Sequence, residues 1–531
     1  MALDDERALE EIVAKRIKIK PEDIAGLQVL RRGIDARRYR GAPIHFVYMV
    51  QLRLQGKESE QTVLRRCRRD NNVSAARVEP EKAPAIMREH RPDDLRPIVV
   101  GFGPAGMLAA LQLAKAGWQP LVLERGLDVD ARQAAVEHFW QTGELDVRTN
   151  VQFGEGGAGT FSDGKLTSRS SDPHIRDVLE TFVAAGAPDD ILYLQKPHIG
   201  TDKLRPMVRN IRQQIIELGG EVQFGAQVTD IELDAAGCVQ AVIVNGEERI
   251  EADAVFLGIG HSARDTYRML QRRGLVMEPK AFAMGVRIEH PQELIDRNQY
   301  GVDAGHPLLP AADYALTFQD REGDGRGAYS FCMCPGGFVV AAASELGRVV
   351  TNGMSNYARD SGIANSALLV QVSPADFGTN ALSGMALQEK LESLAFALGG
   401  SDYRAPVQSV GDFLSGRSGS TDFLVTPTYR PGVKPADLHD CLPDYITATL
   451  ERALPHFNKK ILGFASADVP MTGIEARSSA PCRLRRDRAT FMAEQHSGIY
   501  PIGEGAGYAG GIMSAAVDGL RAALAFLSET K

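Results

Sequence analysis

The chain has 531 residues, 44% of them hydrophobic and 24% charged, with a formal net charge of −8. That length exceeds one ordinary core and predicts two or three domains. The composition is that of a soluble globular protein, and the acidic balance argues against a generally nucleic-acid-binding surface. The opening Met-Ala-Leu-Asp-Asp-Glu-Arg lacks the layout of a signal peptide, and no apolar run reaches the length of a membrane span. Six cysteines are too sparse for a disulfide scaffold, so the expected location is cytoplasmic. With neither C-x-x-C nor H-E-x-x-H, no metal site is expected.

Residues 1–92 read as a small N-terminal α+β domain, with a helix around Ala8–Arg16 and strand-like Leu27–Ile34 and Ile44–Leu54. A polar, Pro-containing stretch, Glu89–Asp94, reads as a linker. The unit carries Arg31, Arg32, Arg37, Arg38 and Arg40, then Arg65, Arg66, Arg68 and Arg69 beside Cys67. Such runs are most often solvated faces paired with nearby acids. The alternative is a docking surface for RNA or another macromolecular partner.

The most informative stretch follows. Ile98-Val99-Val100 is short, β-branched and apolar, as a strand buried on both faces of a parallel sheet should be. Gly101, Gly103 and Gly106 then have G-x-G-x-x-G spacing: a tight turn, a close backbone approach to phosphates, and close helix packing. Pro104 and Ala105 suit a first helical turn, and helical periodicity runs to Gly117. The free N–H groups and dipole at that helix start favour a pyrophosphate. A second strand, Leu121–Leu123, ends at Glu124, about 20 residues beyond the glycines, where an acid accepts ribose hydroxyls. A carboxylate there favours FAD or NAD over NADP, and Arg125 weakens that exclusion.

A helical, polar stretch to Gln141 precedes the glycine-rich Phe153–Leu166, which includes Gly159 and reads as backbone wrapped around a ligand. Thr201–Leu218 is a plausible amphipathic helix, and Glu221–Leu233, Cys238–Val244 and Ala254–Gly260 are strand-like, with a turn at Asn245-Gly246. The last runs into the turn Gly258–Ser262, at the sheet edge where ligands bind. Residues 275–460 are mixed and longer-looped and read as an inserted, substrate-side α+β domain. Gly498–Ala516 then supplies another strand-turn-helix near the carboxyl end. The expected architecture is α/β: a doubly wound Rossmann-type domain formed by 93–274 and 461–531, interrupted by that insertion.

Together these segments resemble the flavoprotein superfamily with a glutathione-reductase-type FAD domain. More closely, the chain resembles the uncharacterised FAD-dependent (NAD(FAD)-utilizing) dehydrogenase family over nearly its full length. The resemblance is carried by Gly101–Gly106, Gly154–Leu166, Gly258–Arg264, Tyr329–Gly337, Thr351–Ser355 and Gly503–Ser514. It implies that Glu124 binds the adenosine ribose and Val228 offers its backbone to the adenine. It also implies that Gly260 borders FAD, that Gly503-Glu504-Gly505 meets the ribityl and pyrophosphate portion, and that Gly511-Ile512 lies near the flavin pyrimidine. Many relatives have Asp where this chain has Glu504. Disulfide reductases of this superfamily add a nicotinamide domain and a C-x-x-C near the first glycine motif, and this sequence has neither.

Candidate reactive groups are Cys332 and Cys334, His261, Lys165 and Arg477. At i and i+2 on a strand the two cysteines would share one face, either as a redox pair or as inert buried thiols. His261 would tune or protonate flavin or substrate, or simply cap a turn. Lys165 would face an anionic substrate or pair with Asp163. Arg477 would clamp a carboxylate or pair with Glu475 or a neighbour. The expected function is an FAD-dependent oxidoreductase passing hydride between a small organic substrate and flavin N5, with NADH or NADPH as a possible transient donor. Alternatives are a flavoprotein acting on RNA or another macromolecule, and a flavin redox sensor without turnover. The sequence sets no oligomeric state.

Overall fold

The computed structural model describes residues 1–5, 7–37, 43–55, 59–76, 95–168 and 170–529. Arg38, Arg40, the linker at 89–94 and the boundary at residue 92 lie outside the described residues. The N-terminal unit pairs strands Ile24–Asp35 and His45–Leu54 antiparallel, with helices Leu9–Ile17 and Glu60–Arg66 beside them. Leu3, Ile44 and Phe46 bury against the core of the later seven-stranded sheet, so the hairpin is docked and not free.

Five short strands form a wholly parallel sheet in the order Ile499–Pro501, Val255–Leu257, Ile98–Val100, Leu121–Leu123, Glu221–Gln223. The first four are buried throughout, which explains their unbroken apolar sequence. Alternate side chains point to opposite faces. Val99, Val122, Phe256 and Tyr500 face helices Pro104–Lys115, Thr201–Glu217 and Ile512–Glu529. Ile98, Val100, Leu123 and Val255 face a three-stranded antiparallel meander, Val228–Leu233, Val239–Val244 and Glu248–Glu251, together with helix Arg264–Arg272. The sheet is therefore Rossmann-type, but its second face is covered mostly by that meander instead of by the helical layer of a doubly wound fold. The turn at Asn245-Gly246, with Asn245 at φ 54°, folds the chain back too soon for a crossover helix.

The inserted region builds a seven-stranded sheet in the order Thr317–Gln319, Gly327–Cys334, Ile363–Val372, Phe282–Pro291, Pro470–Glu475, Ala405–Ser409, Val433–Pro435. All its pairs are antiparallel except the last. Pro470–Glu475 sits beside Phe282–Pro291, so the chain has not left this sheet at residue 461 as expected. It rejoins the parallel sheet with Ile499–Pro501. No helix among the described residues is long and apolar enough to cross a membrane.

Candidate functional site

The glycine turn is dictated by close backbone contact. Gly101 has φ 92°, and a Cβ there would lie 2.5 Å from the Gly258 carbonyl oxygen. A Cβ on Gly106 would lie 2.0 Å from the Gly101 oxygen, since helix Pro104–Lys115 presses onto the strand. Gly103 differs: its Cβ would meet nothing closer than Gly157 Cα at 3.7 Å. Its spare room faces a cavity, onto which the uncapped start of helix Pro104–Lys115 also opens.

That cavity, of about 440 Å³, lies beyond the C-terminal ends of four parallel strands. Four separated segments wall it: Gly101–Ala105, Gly157–Lys165, Gly258–Ala263 and Gly511–Ile512 with Glu504. Every residue expected at the cofactor lines it except Gly106, Gly503 and Gly505. Gly503 is there for contact, because a Cβ would strike Ala105 Cβ at 2.6 Å. Gly260 and Gly511, both at positive φ, have no protein atom within 4 Å of an added Cβ, so they keep the cradle bare.

Glu124 is buried at the end of its strand, and its carboxylate already holds the surrounding loops. Oε2 accepts from the Phe102 amide at 2.8 Å, and Oε1 accepts from Gly154 at 2.9 Å and Gly126 at 3.0 Å. Two lone pairs on each oxygen leave Oε2 one more acceptor site. Arg125 is occupied elsewhere: it donates to Asp265 and Thr266 and lies 4.3 Å over the Phe153 ring. Burial pushes the Glu504 carboxyl up to about 7, against the opposing pull of Lys280.

The opposite wall comes from the inserted region: Phe331, Cys332 and Glu475 from the seven-stranded sheet, Asn352 from a separate hairpin pairing Gly337–Ala341 with Thr351–Ser355, and Arg477 just past the end of Pro470–Glu475. The two cysteines do not sit on a flat strand. A bulge between Phe331 and Cys334 carries Cys332 to φ 43° and onto the cavity wall, leaving Cys334 fully buried behind it. Cys334 Sγ donates to the Cys332 carbonyl at 3.3 Å. Arg287, fully buried, makes a bidentate pair with Glu475 at 2.8 and 3.0 Å and donates to the Cys332 carbonyl at 2.9 Å. The Cys334 thiol hydrogen-bonded to Cys332, then Arg287 and Lys165, hold the Cys332 thiol well below its ordinary value despite burial, while the same coupling and burial raise Cys334.

Arg477 is not an open clamp. It donates to Glu392 at 2.9 and 2.8 Å, to Ser344 at 2.6 Å and to Glu345 at 3.3 Å. Its partner is therefore Glu392, which Arg264 also grips bidentately, and not Glu475. Burial, reinforced by Arg477 and Arg264, pushes His261 down to about 3. That shift favours the neutral ring, and Nδ1 lies 2.8 Å from Ser262 Oγ. Lys165 does face Asp163, at 3.7 Å, but Asp163 is held more closely by Arg359 and Ser355. Lys165 Nζ is buried without a hydrogen-bond partner.

Sequence reasoning missed Arg132, Arg287 and Glu392. Arg132 is fully buried and donates to the carbonyls of Asn150, Val151, Gly154 and Glu155, fixing the glycine-rich loop from inside. The available signal was an arginine amid apolar residues on helix Val129–Thr142. The N-terminal arginines that are described include ordinary surface pairs, Arg37 with Asp35 and Arg16 with Asp70.

A parallel sheet bearing a glycine turn, an acid after its second strand and a bare cradle at its C-terminal edge defines a Rossmann-type α/β fold. The chain belongs to one family with a protein of Clostridium beijerinckii described as uncharacterized, 49% identical over 525 residues that cover 98% of this chain and 96% of that one. Residues 281–478 match the family described as FAD-dependent protein, C-terminal domain-like, and residues 2–53 match a domain of unknown function. Similar solved structures include CtdE in complex with FAD, at 12% identity and TM-score 0.32, covering 82% of this chain and 84% of that one. Another is a geranylgeranyl bacteriochlorophyll reductase-like protein from Thermoplasma acidophilum, at 12% identity and TM-score 0.36, covering 82% and 79%. A third is the glycerol-3-phosphate dehydrogenase from Bacillus halodurans complexed with FAD, at 12% identity and TM-score 0.34, covering 83% and 65%.

Proposed function

We propose that the protein is an FAD-dependent oxidoreductase acting on a small organic substrate. The observation that carries this reading is a cavity shared between a bare glycine cradle and a wall of polar and thiol groups. The match of residues 281–478 to FAD-dependent proteins adds support. The residues fit FAD: Gly103, Gly260 and Gly511 line the cavity with room for a ligand against them, and Glu124 keeps one acceptor site for a ribose hydroxyl. When bound, FAD supplies two-electron hydride chemistry at its N5.

The chain's own groups then have separable tasks. The start of helix Pro104–Lys115 offers unpaired amides and a positive dipole end to a pyrophosphate. The start of helix Ile512–Glu529 does the same for negative charge on a ring placed against it. Glu504 is poised to hold or release a proton near neutrality, and neutral His261 hydrogen-bonds without adding charge. The parallel-sheet half holds the cofactor and the seven-stranded half supplies the substrate side. Anaerobic titration of the flavin-loaded protein with NADH and NADPH tests the reading. Bleaching of the bound flavin by one nicotinamide is expected. A bound flavin left oxidised by both, and by a panel of alcohols, amines and thiols, would overturn turnover in favour of a redox sensor.

A further inference from the structure

The second wall contains a feature that cofactor binding does not require. Cys332 is placed on the cavity by a β-bulge, at a backbone angle that non-glycine residues rarely adopt. Strain of this kind persists only where the surroundings over-determine it. Here Arg287 and Cys334 both bond the Cys332 carbonyl and pin it. The ammonium of Lys165 lies on the same cavity without a hydrogen-bond partner. The remaining cysteines lack this setting: burial pushes Cys441 and Cys482 up to about 12, and neither they, Cys67 nor Cys238 lines the cavity.

We propose that Cys332 and Cys334 form a redox-active dithiol that exchanges with a low-molecular-weight disulfide entering the cavity, Cys332 attacking and Cys334 resolving. This names a substrate class for the oxidoreductase reading and rests on that reading for the return of the cysteines to thiols. In the exchange, Cys332 thiolate attacks R–S–S–R′, forming a Cys332–S–S–R bond and releasing R′S⁻. Cys334 gives its proton to R′S⁻ and attacks Cys332 Sγ, expelling RS⁻. The two cysteines are oxidised to one disulfide while R–S–S–R′ is reduced to RS⁻ and R′SH. Arg287 and Lys165 favour the attacking thiolate by their positive charge.

The test is peptide mapping of the flavin-loaded protein after treatment with oxidised glutathione. Wild type should yield a Cys332–Cys334 disulfide, Cys334→Ser should trap glutathione on Cys332, and Cys332→Ser should give neither. Iodoacetamide, applied to wild type so that no variant need fold, should alkylate Cys332 about tenfold faster than Cys238 at about pH 6. Flavin absorbance of the same samples separates the two claims. Bound flavin with Cys332 and Cys334 left as thiols, or alkylation no faster at Cys332, overturns the dithiol alone. Disulfide formation in a chain that takes up no flavin overturns the cofactor reading and leaves the exchange standing.

Discussion

The wall of the cavity built around the parallel sheet opens glycine backbone onto it beside side chains such as Glu124, His261 and Glu504, whereas the wall built by the inserted region is backed by buried ion pairs. On the first, Gly101, Gly103, Gly260 and Gly511 strip away side chains and two helix starts supply partial charge. On the second, Arg287 is locked to Glu475, and Arg264 and Arg477 share Glu392. A backbone cradle suits a large ligand held the same way throughout a reaction cycle. Paired buried charges suit a surface on which one neighbouring group must be kept in an unusual ionisation state. The Cys332 thiol is such a group.

The sharpest way to break this comparison is to unbalance the ionic wall. Glu475→Gln leaves the Arg287 charge buried and unpaired, and should cost about 3–5 kcal/mol in denaturant unfolding. Adding Arg287→Met to that variant should restore a large part of the loss. If Glu475→Gln proves as stable as wild type, the ion pair is not what backs that wall.

On the glycine wall, position matters more than residue type. Gly106→Ala places a Cβ 2.0 Å from the Gly101 oxygen and should destabilise by about 1–3 kcal/mol. Gly103→Ala meets nothing closer than 3.7 Å and should change stability by less than about 0.5 kcal/mol, its effect appearing in cofactor binding instead. Thermal unfolding of the two variants side by side separates packing glycines from ligand glycines. Equal losses would erase that distinction.

Glu504 gives the smallest effect, and its sign is fixed. Its folded value of about 7 lies above the ordinary 4.5, so between these the folded chain binds more protons than the unfolded one. Stability from this group is full below about 4.5 and falls as pH rises to about 7. Glu504→Gln should flatten the melting temperature across that window. An unchanged slope would place the titration elsewhere.

The same contrast explains what the sequence made legible. The glycine wall is written in local signals: Ile98–Val100, the 3.6-residue period after Pro104, and turns that each follow an apolar strand. Even the convergence of Gly159, Gly260 and Gly511 could be anticipated, because Gly260 and Gly511 follow apolar strands and Gly159 lies in a glycine-rich loop. The ionic wall has no local signature. Arg287 and Glu475 are 188 residues apart and Arg264 and Glu392 are 128 apart, so no window of sequence contains a pair. The bulge at Cys332 is equally silent, since i and i+2 spacing predicts a flat strand and the extra residue is visible only in its pairing with Ile363–Val372. The placement of Pro470–Glu475 escaped for the same reason: its partners are Phe282–Pro291 and Ala405–Ser409, both far upstream.

The central claim is that the bare cradle holds FAD, and the direct measurement is an equilibrium titration of purified protein with FAD, followed by flavin absorbance and fluorescence. Wild type should bind it stoichiometrically, and Gly103→Ala should bind about tenfold more weakly with its melting temperature unchanged in the absence of flavin. A colourless wild-type protein that takes up no FAD would contradict the account, as would a Gly103→Ala variant that binds as tightly as wild type.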